Sequence, residues 1–127
     1  MAIRVGIDLV RVDTVADSVR QHAERYLQRV FTERELADCQ TDAGLSCERL
    51  ASRFAAKEAT IKVLRPGDQS LPWRNIEVRR DPAGWVDLKL SGSAASLASE
   101  AGLAEFALSL THEHGVAAAV VVAESVH

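Results

Sequence analysis

The sequence of 127 residues is poor in cysteine, in net positive charge and in long apolar runs, and each shortage removes a class of protein. Its two cysteines, Cys39 and Cys47, flank a loop at a spacing that matches no zinc site. A disulfide across that loop is open to the chain, but free thiols are expected. Lys and Arg number 15 against 18 Asp and Glu, a formal net charge of -3. No global basic field therefore attracts nucleic acid, and any anion site must be local. No stretch approaches the length of a membrane span. The N-terminal MAIRVGIDLV lacks the apolar core and cleavage site of a signal peptide. The expectation is a cytoplasmic chain with neither membrane nor nucleic-acid partner. Repeats, linkers, low-complexity tracts and a nucleophile elbow G-x-S-x-G are also missing.

What is present fits one globular domain spanning 1–127, with 47% apolar and 26% charged residues. Its centre is Glu48 to Leu64, ERLASRFAAKEATIKVL, which holds no Gly or Pro and is rich in helix formers. Pro66 and Gly67 stop it. At about 100° per residue, Leu50, Phe54, Ile61 and Leu64 share one inward face. Glu58 and Lys62 sit four apart on one flank, and Arg49, Arg53 and Lys57 climb the other. Lys57 falls between Leu50 and Leu64, so it must snorkel or find an anion. The ordinary reading is a solvated face with one surface ion pair. The alternative is a cationic rim with one carboxylate, suited to a phosphate ligand bridged by a metal ion.

The chain in order reads as βαααββαββ, an α+β domain with an antiparallel sheet packed on the long central helix. Ile3 to Val10 alternates as a strand, with Ile3, Val5, Ile7 and Leu9 on one side and Arg4, Gly6, Asp8 and Val10 on the other. Asp13 or Thr14 is expected to cap a helix from Val15 to about Gln21. A second short turn covers Glu24 to Val30. Thr32 and Glu35 form a capping box opening a helix to about Gln40, and Thr41 to Ser46 is a polar loop. Asn75 to Arg80 and Trp85 to Leu90 make a hairpin around Asp81-Pro82-Ala83-Gly84. A helix from Ala94 to Ala101 ends at Gly102. Phe106 to Thr111 is a strand, and the apolar run Val116 to Ala123 is too buried on both sides for an edge.

Two positions ask for chemistry. Asp is disfavoured inside strands, so Asp8 needs a partner: a backbone donor, an arginine, or a metal beside the bare Gly6. Ser109-Leu110-Thr111-His112 ends a strand, where hydroxyls and an imidazole can hold a phosphate or a purine edge. A Ser109-His112-Asp8 triad is left open, since triads occur in any chain order.

Three stretches together, GIDLV at Gly6 to Val10, RFAAKEATIK at Arg53 to Lys62 and SLTH at Ser109 to His112, resemble the signature regions of the small 4'-phosphopantetheinyl transferases. The pattern F-x-x-K-E-x-x-x-K, here Phe54, Lys57, Glu58 and Lys62, is the most specific part. The resemblance extends over nearly the whole length, including F-T-E-R-E-L at Phe31 to Leu36. It implies a phosphopantetheinyl transferase-like fold and an Mg²⁺-dependent enzyme. A serine of an apo acyl carrier protein would attack the β-phosphate of coenzyme A, take the phosphopantetheine arm and release 3',5'-ADP.

By the same resemblance Asp8 and Glu58 are the metal ligands, and Lys62 contacts the diphosphate. Glu58, directly or through a water, takes the serine proton. Arg53 and Lys57 match positions suited to the nucleotide phosphates, and His112 matches one near the ribose phosphate or adenine, assisted by Ser109 and Thr111. A homotrimer with sites between subunits is implied. One departure stands out: where the family often has a basic residue in the first helix to grip the acidic carrier, this chain has Asp13 and Thr14, leaving Arg11, Arg20, Arg25 or Arg29 to take over. The competing readings are a coenzyme A or phosphate-ligand binding module without catalysis, and a purely structural trimeric module.

Overall fold

A computed structural model describes residues 2–126. The chain begins with β1 (Ile3–Arg11), α1 (Val12–Val30) and α2 (Glu33–Asp38), followed by two short strands, β2 (Gln40–Thr41) and β3 (Gly44–Leu45). The long helix α3 (Cys47–Leu64) comes next, then a single 3₁₀ turn at Trp73–Asn75 and the hairpin β4 (Ile76–Arg80) and β5 (Val86–Leu90). Helix α4 (Gly92–Glu100), β6 (Leu103–Glu113) and β7 (Val116–Ser125) complete it. The main sheet runs β1-β7-β6, all antiparallel, so the apolar C-terminal strand is central as its composition requires.

Helix α3 lies across the inner face of this sheet. Small residues on both sides allow the approach: Ala55 and Ala59 on the helix, Gly6, Ala117 and Ala119 on the strands. At Gly6 the contact is backbone to side-chain void. A Cβ there would sit 2.1 Å from the Ala59 carbonyl oxygen. The helix is capped by Ser46, whose hydroxyl accepts from the Arg49 amide at 3.2 Å, and ends at Arg65 in the left-handed region just before Pro66.

The expectation of one apolar stripe on α3 is corrected. The helix is buried nearly all round, with Ser52, Arg53, Lys57 and Thr60 buried alongside Leu50 and Leu64, whereas Phe54 and Ile61 are only half-buried. The reason is its central position: the sheet covers one side, and α1 and the β4–β5 hairpin reach it from others. The start of α1 is corrected too. It begins at Val12, so Asp13 and Thr14 lie inside the first turn and no side chain caps it. The Val12 amide instead donates to the Gly115 carbonyl at 2.9 Å, so a contact with the β6–β7 turn does the capping. The expected interruption before Glu24 is a single residue, Ala23, at φ 42°. The Thr32–Glu35 capping box is present, with reciprocal bonds of 2.9 and 3.2 Å.

Strand β1 presents its more apolar row outward. Ile3, Val5, Ile7 and Leu9 are each at least 60% exposed, while Gly6 and Val10 face the core.

Gly6→Ala is expected to destabilise the protein by at least about 2 kcal/mol, because the helix backbone blocks the added methyl. A lowered urea midpoint at unchanged denaturant slope checks this; an unchanged midpoint would mean that helix and strand part easily.

Candidate active site

The sheet–helix contact brings the first group of expected residues together. Asp8, on the inward row of β1, faces Lys62 of α3, with Nζ 3.4 Å from Oδ1. The same ammonium donates to the Ile7 carbonyl at 2.7 Å. Glu58, one turn earlier, is close enough to be affected by both. Partial burial pushes its carboxyl pKa up, the negative charge of Asp8 pushes it further, and Lys62 pulls it back. Two acids near a single lysine form an anionic cluster that a cation would relieve. Among the described residues no cluster of three or more His, Cys, Asp or Glu can hold a metal. A pair of carboxylates nonetheless fits Mg²⁺, which usually takes one or two protein carboxylates and completes its shell with water and phosphate oxygens.

A second group lines a cleft of about 300 Å³ between α3, the β4–β5 hairpin and the end of β6. Arg49, Arg53, Arg80, Thr111 and His112 all contribute to its walls. Arg53 is buried; its Nη1 donates to the Arg49 carbonyl at 3.2 Å, and its Nε has no hydrogen-bond partner. A buried guanidinium with an unused donor is a cation that the fold leaves short of an acceptor. His112 Nδ1 lies 3.2 Å from Glu48 Oε2 at the rim. The lining includes none of Asp8, Glu58 and Lys62. One chain thus carries two separate groups, an acidic one and a basic one.

Two expected residues lie elsewhere. Lys57 does not reach the basic cleft: its side chain is wholly buried and its Nζ is 2.8 Å from Glu35 Oε1. The choice between snorkelling and finding an anion was settled in favour of the anion, because α3 is covered on that side and no route to solvent is left. Ser109 stands on the outer face of β6, opposite Val120, and borders a shallow apolar depression with Ile7 and Val120. Being three residues from His112 in a strand, it points to the opposite face. With His112 on Glu48 and Asp8 on Lys62, the three residues form no triad.

Sequence reasoning missed Arg80 and Glu48. Arg80 adjoins the hairpin turn, and a basic residue at a turn carries no pattern of its own. Glu48 was visible only as the first acid of the long helix.

Residues 4–121 match the model of the 4'-phosphopantetheinyl transferase superfamily. The chain belongs to that superfamily. A holo-[acyl-carrier-protein] synthase of Halothermothrix orenii is 40% identical over 120 residues, covering 94% of this chain and 95% of that protein. Among solved structures, the complex of a Chronobacterium ammoniagenes family member with coenzyme A superposes with a TM-score of 0.86 at 33% identity, covering 100% of both chains. The Helicobacter pylori holo-[acyl-carrier-protein] synthase in complex with coenzyme A gives 0.81 at 26% identity, covering 94% of this chain and 99% of that one. The transferase-like α+β fold expected from the three signature stretches is thereby borne out.

The raised pKa of Glu58 has a consequence for this superfamily member without metal. A carboxyl that holds its proton more tightly when folded favours folding at low pH, and that advantage is lost as pH rises from the ordinary glutamate range through the raised value. Glu58→Gln should therefore raise the melting temperature of the chelator-treated protein at neutral pH and leave it unchanged at pH 3. A lower melting temperature at neutral pH would mean that Lys62 outweighs burial and Asp8.

Proposed function

We propose that this chain is a holo-acyl-carrier-protein synthase, moving the 4'-phosphopantetheine arm of coenzyme A to a serine of an apo acyl carrier protein. The observation that carries the reading is the pairing of an acidic half-site, Asp8 and Glu58, with a basic cleft whose buried Arg53 has an unspent donor. Coenzyme A carries both matching features, a diphosphate and a 3'-phosphate. Arg53, with Arg49, Arg80 and His112 around it, is suited to the nucleotide phosphates. Thr111 borders the same cleft at the edge of β6, although its side chain shares the row of Ser109.

Asp8 and Glu58 would hold Mg²⁺, which supplies positive charge where diphosphate oxygens would otherwise repel the incoming nucleophile. Lys62, half-exposed and held by a carbonyl and by Asp8, is free to swing onto the diphosphate and stabilise the charge that develops there. Glu58 takes the serine proton directly or across one water, and the water route is favoured because a carboxylate that holds a metal is a poor direct base. The serine oxygen bonds to the β-phosphorus, the bond from that phosphorus to the bridging oxygen breaks, and 3',5'-ADP leaves with the electron pair.

The two half-sites on one chain support a homotrimer in which the acidic half of one subunit meets the basic half of its neighbour. The exposed row Ile3, Val5, Ile7 and Leu9 is a surface of the kind subunits bury. For the carrier, Arg25 and Arg29 around the shallow cavity at His22 and Tyr26 are the best cations of the first helix. Arg11 and Arg20 already face Asp13 and Asp17. Their attraction for an acidic carrier would weaken with salt. No described helix is long and apolar enough to cross a membrane. A cytoplasmic location agrees with the free thiols of Cys39 and Cys47. A coenzyme A binder without catalysis would have no use for the Asp8–Glu58 pair.

Incubation with coenzyme A, Mg²⁺ and an apo carrier should add one phosphopantetheine mass to the carrier; coenzyme A binding without that mass overturns the transferase reading. Asp8→Ala, Glu58→Ala and Lys62→Ala should each lower kcat by at least about 10²-fold in a folded protein. Near-normal turnover of either acid variant with Mg²⁺ limiting would remove the metal assignment. Asp8→Ala and Arg53→Ala subunits, unfolded and refolded together in equal amounts, should recover about a quarter of wild-type activity if each site draws on two neighbours of a ring. Activity no greater than the sum of the separate variants would confine the site to one chain.

A further inference from the structure

The most deeply buried charges in the molecule take no part in the reaction as described above. Glu35 and Lys57 are both wholly buried, 2.8 Å apart. Glu35 also accepts from the Thr32 amide at 2.9 Å and, through its other oxygen, from the Val78 amide at 2.8 Å. Lys57 also donates to the Trp73 carbonyl at 3.1 Å and to the Ile76 carbonyl. Its three donors therefore have three acceptors, and both carboxylate oxygens are used. The hub joins the start of α2, the middle of α3, the 3₁₀ turn and β4.

Such a hub is weak evidence for stability. Desolvating two charges offsets most of their attraction, and well-packed apolar residues commonly replace a buried pair without loss. What a fixed set of directed bonds adds is uniqueness of geometry, and α3 needs it. The helix is covered on most sides, and much of its buried surface is alanine: Ala51, Ala55, Ala56 and Ala59. Methyl-sized side chains make shallow ridges, which resist rotation or sliding poorly. Yet both half-sites depend on the rotation of this helix. Glu58 is the residue after Lys57, and Arg53 is one turn before it. A slip of one residue turns the helix by about 100° and would carry Glu58 away from Asp8.

We propose that Glu35 and Lys57 are positioning residues: their buried hub fixes the rotation of α3, and so holds Glu58 and Lys62 to Asp8 and Arg53 to the basic cleft. This assigns Lys57 a task inside the protein instead of contact with phosphate. It rests on the transferase reading only for its effect on turnover; the mechanical claim concerns α3 alone.

The test is the full-length Glu35→Leu/Lys57→Met double variant, which removes both charges together and leaves neither unpaired. Amide hydrogen exchange and steady-state kinetics are measured well below the melting transition, with Glu35→Asp beside it as a variant that keeps the charge and shortens its reach. In whichever variant folds cooperatively, amides of residues 53–62 should exchange at least tenfold faster relative to those of β7, and kcat should fall at least tenfold. A purely stabilising hub would instead speed exchange in α3 and β7 alike and leave kcat of the folded protein within twofold of wild type. That result overturns the proposal, as does selective loosening of α3 with normal kcat, or a fall in kcat with α3 still protected. Failure of both variants to fold also overturns it, since the pair would then be required for the fold itself. If the wild-type protein transfers nothing to any carrier, the functional reading fails, and the exchange pattern alone decides the role of the hub.

Discussion

The structure depends on a strand and a helix meeting with nothing between them. At Gly6 the missing side chain lets the backbone of α3 come against β1, and a methyl group there would collide with the Ala59 carbonyl. That separation puts Asp8, two residues on, within reach of Lys62 and into the field of Glu58. A larger residue would push the helix away and spread the acids apart. The arrangement is also electrostatically uncomfortable: burial and a neighbouring charge both disfavour ionised Glu58.

Helix α3 serves the two half-sites from different positions along its length. Its first turns offer Arg49 and Arg53 to the basic cleft, and its later turns offer Glu58 and Lys62 to the acidic cluster around Asp8. The spacing of these functions is fixed by 1.5 Å of rise and about 100° of rotation per residue. Lys57, which α3 contributes to the buried hub with Glu35, lies between them along the helix. A rigid rod pinned near its middle is an economical way to hold both ends in place.

Much of this was legible in the sequence. Alternation in Ile3 to Val10, the capping box at Thr32 and Glu35, and the stop at Pro66 are local signals, and they locate β1, α2 and the end of α3 to within a residue or two. The apolar run from Val116 announced the central strand. What was not legible depends on distant partners. The sequence spacing that makes Lys57 look like a phosphate ligand is the same spacing that makes it a core ion, and only the arrival of Glu35 decides between them. The start of α1 depends on the Gly115 carbonyl, more than a hundred residues away in the chain. For α3, periodicity suggested a stripe because Arg53 and Lys57 count as polar in any wheel, although the fold buries both.

The two rows of β1 have different employers: one faces α3 and the acidic cluster, and the other, apolar and open to water, looks away from it. Because side chains alternate strictly along a strand and α1 is anchored at Val12, an insertion or deletion of one residue between Asp8 and α1 would exchange the rows at Asp8. The carboxylate would turn outward and a leucine or isoleucine would press against Lys62. Drift in the length of this segment is thus open only in steps of two.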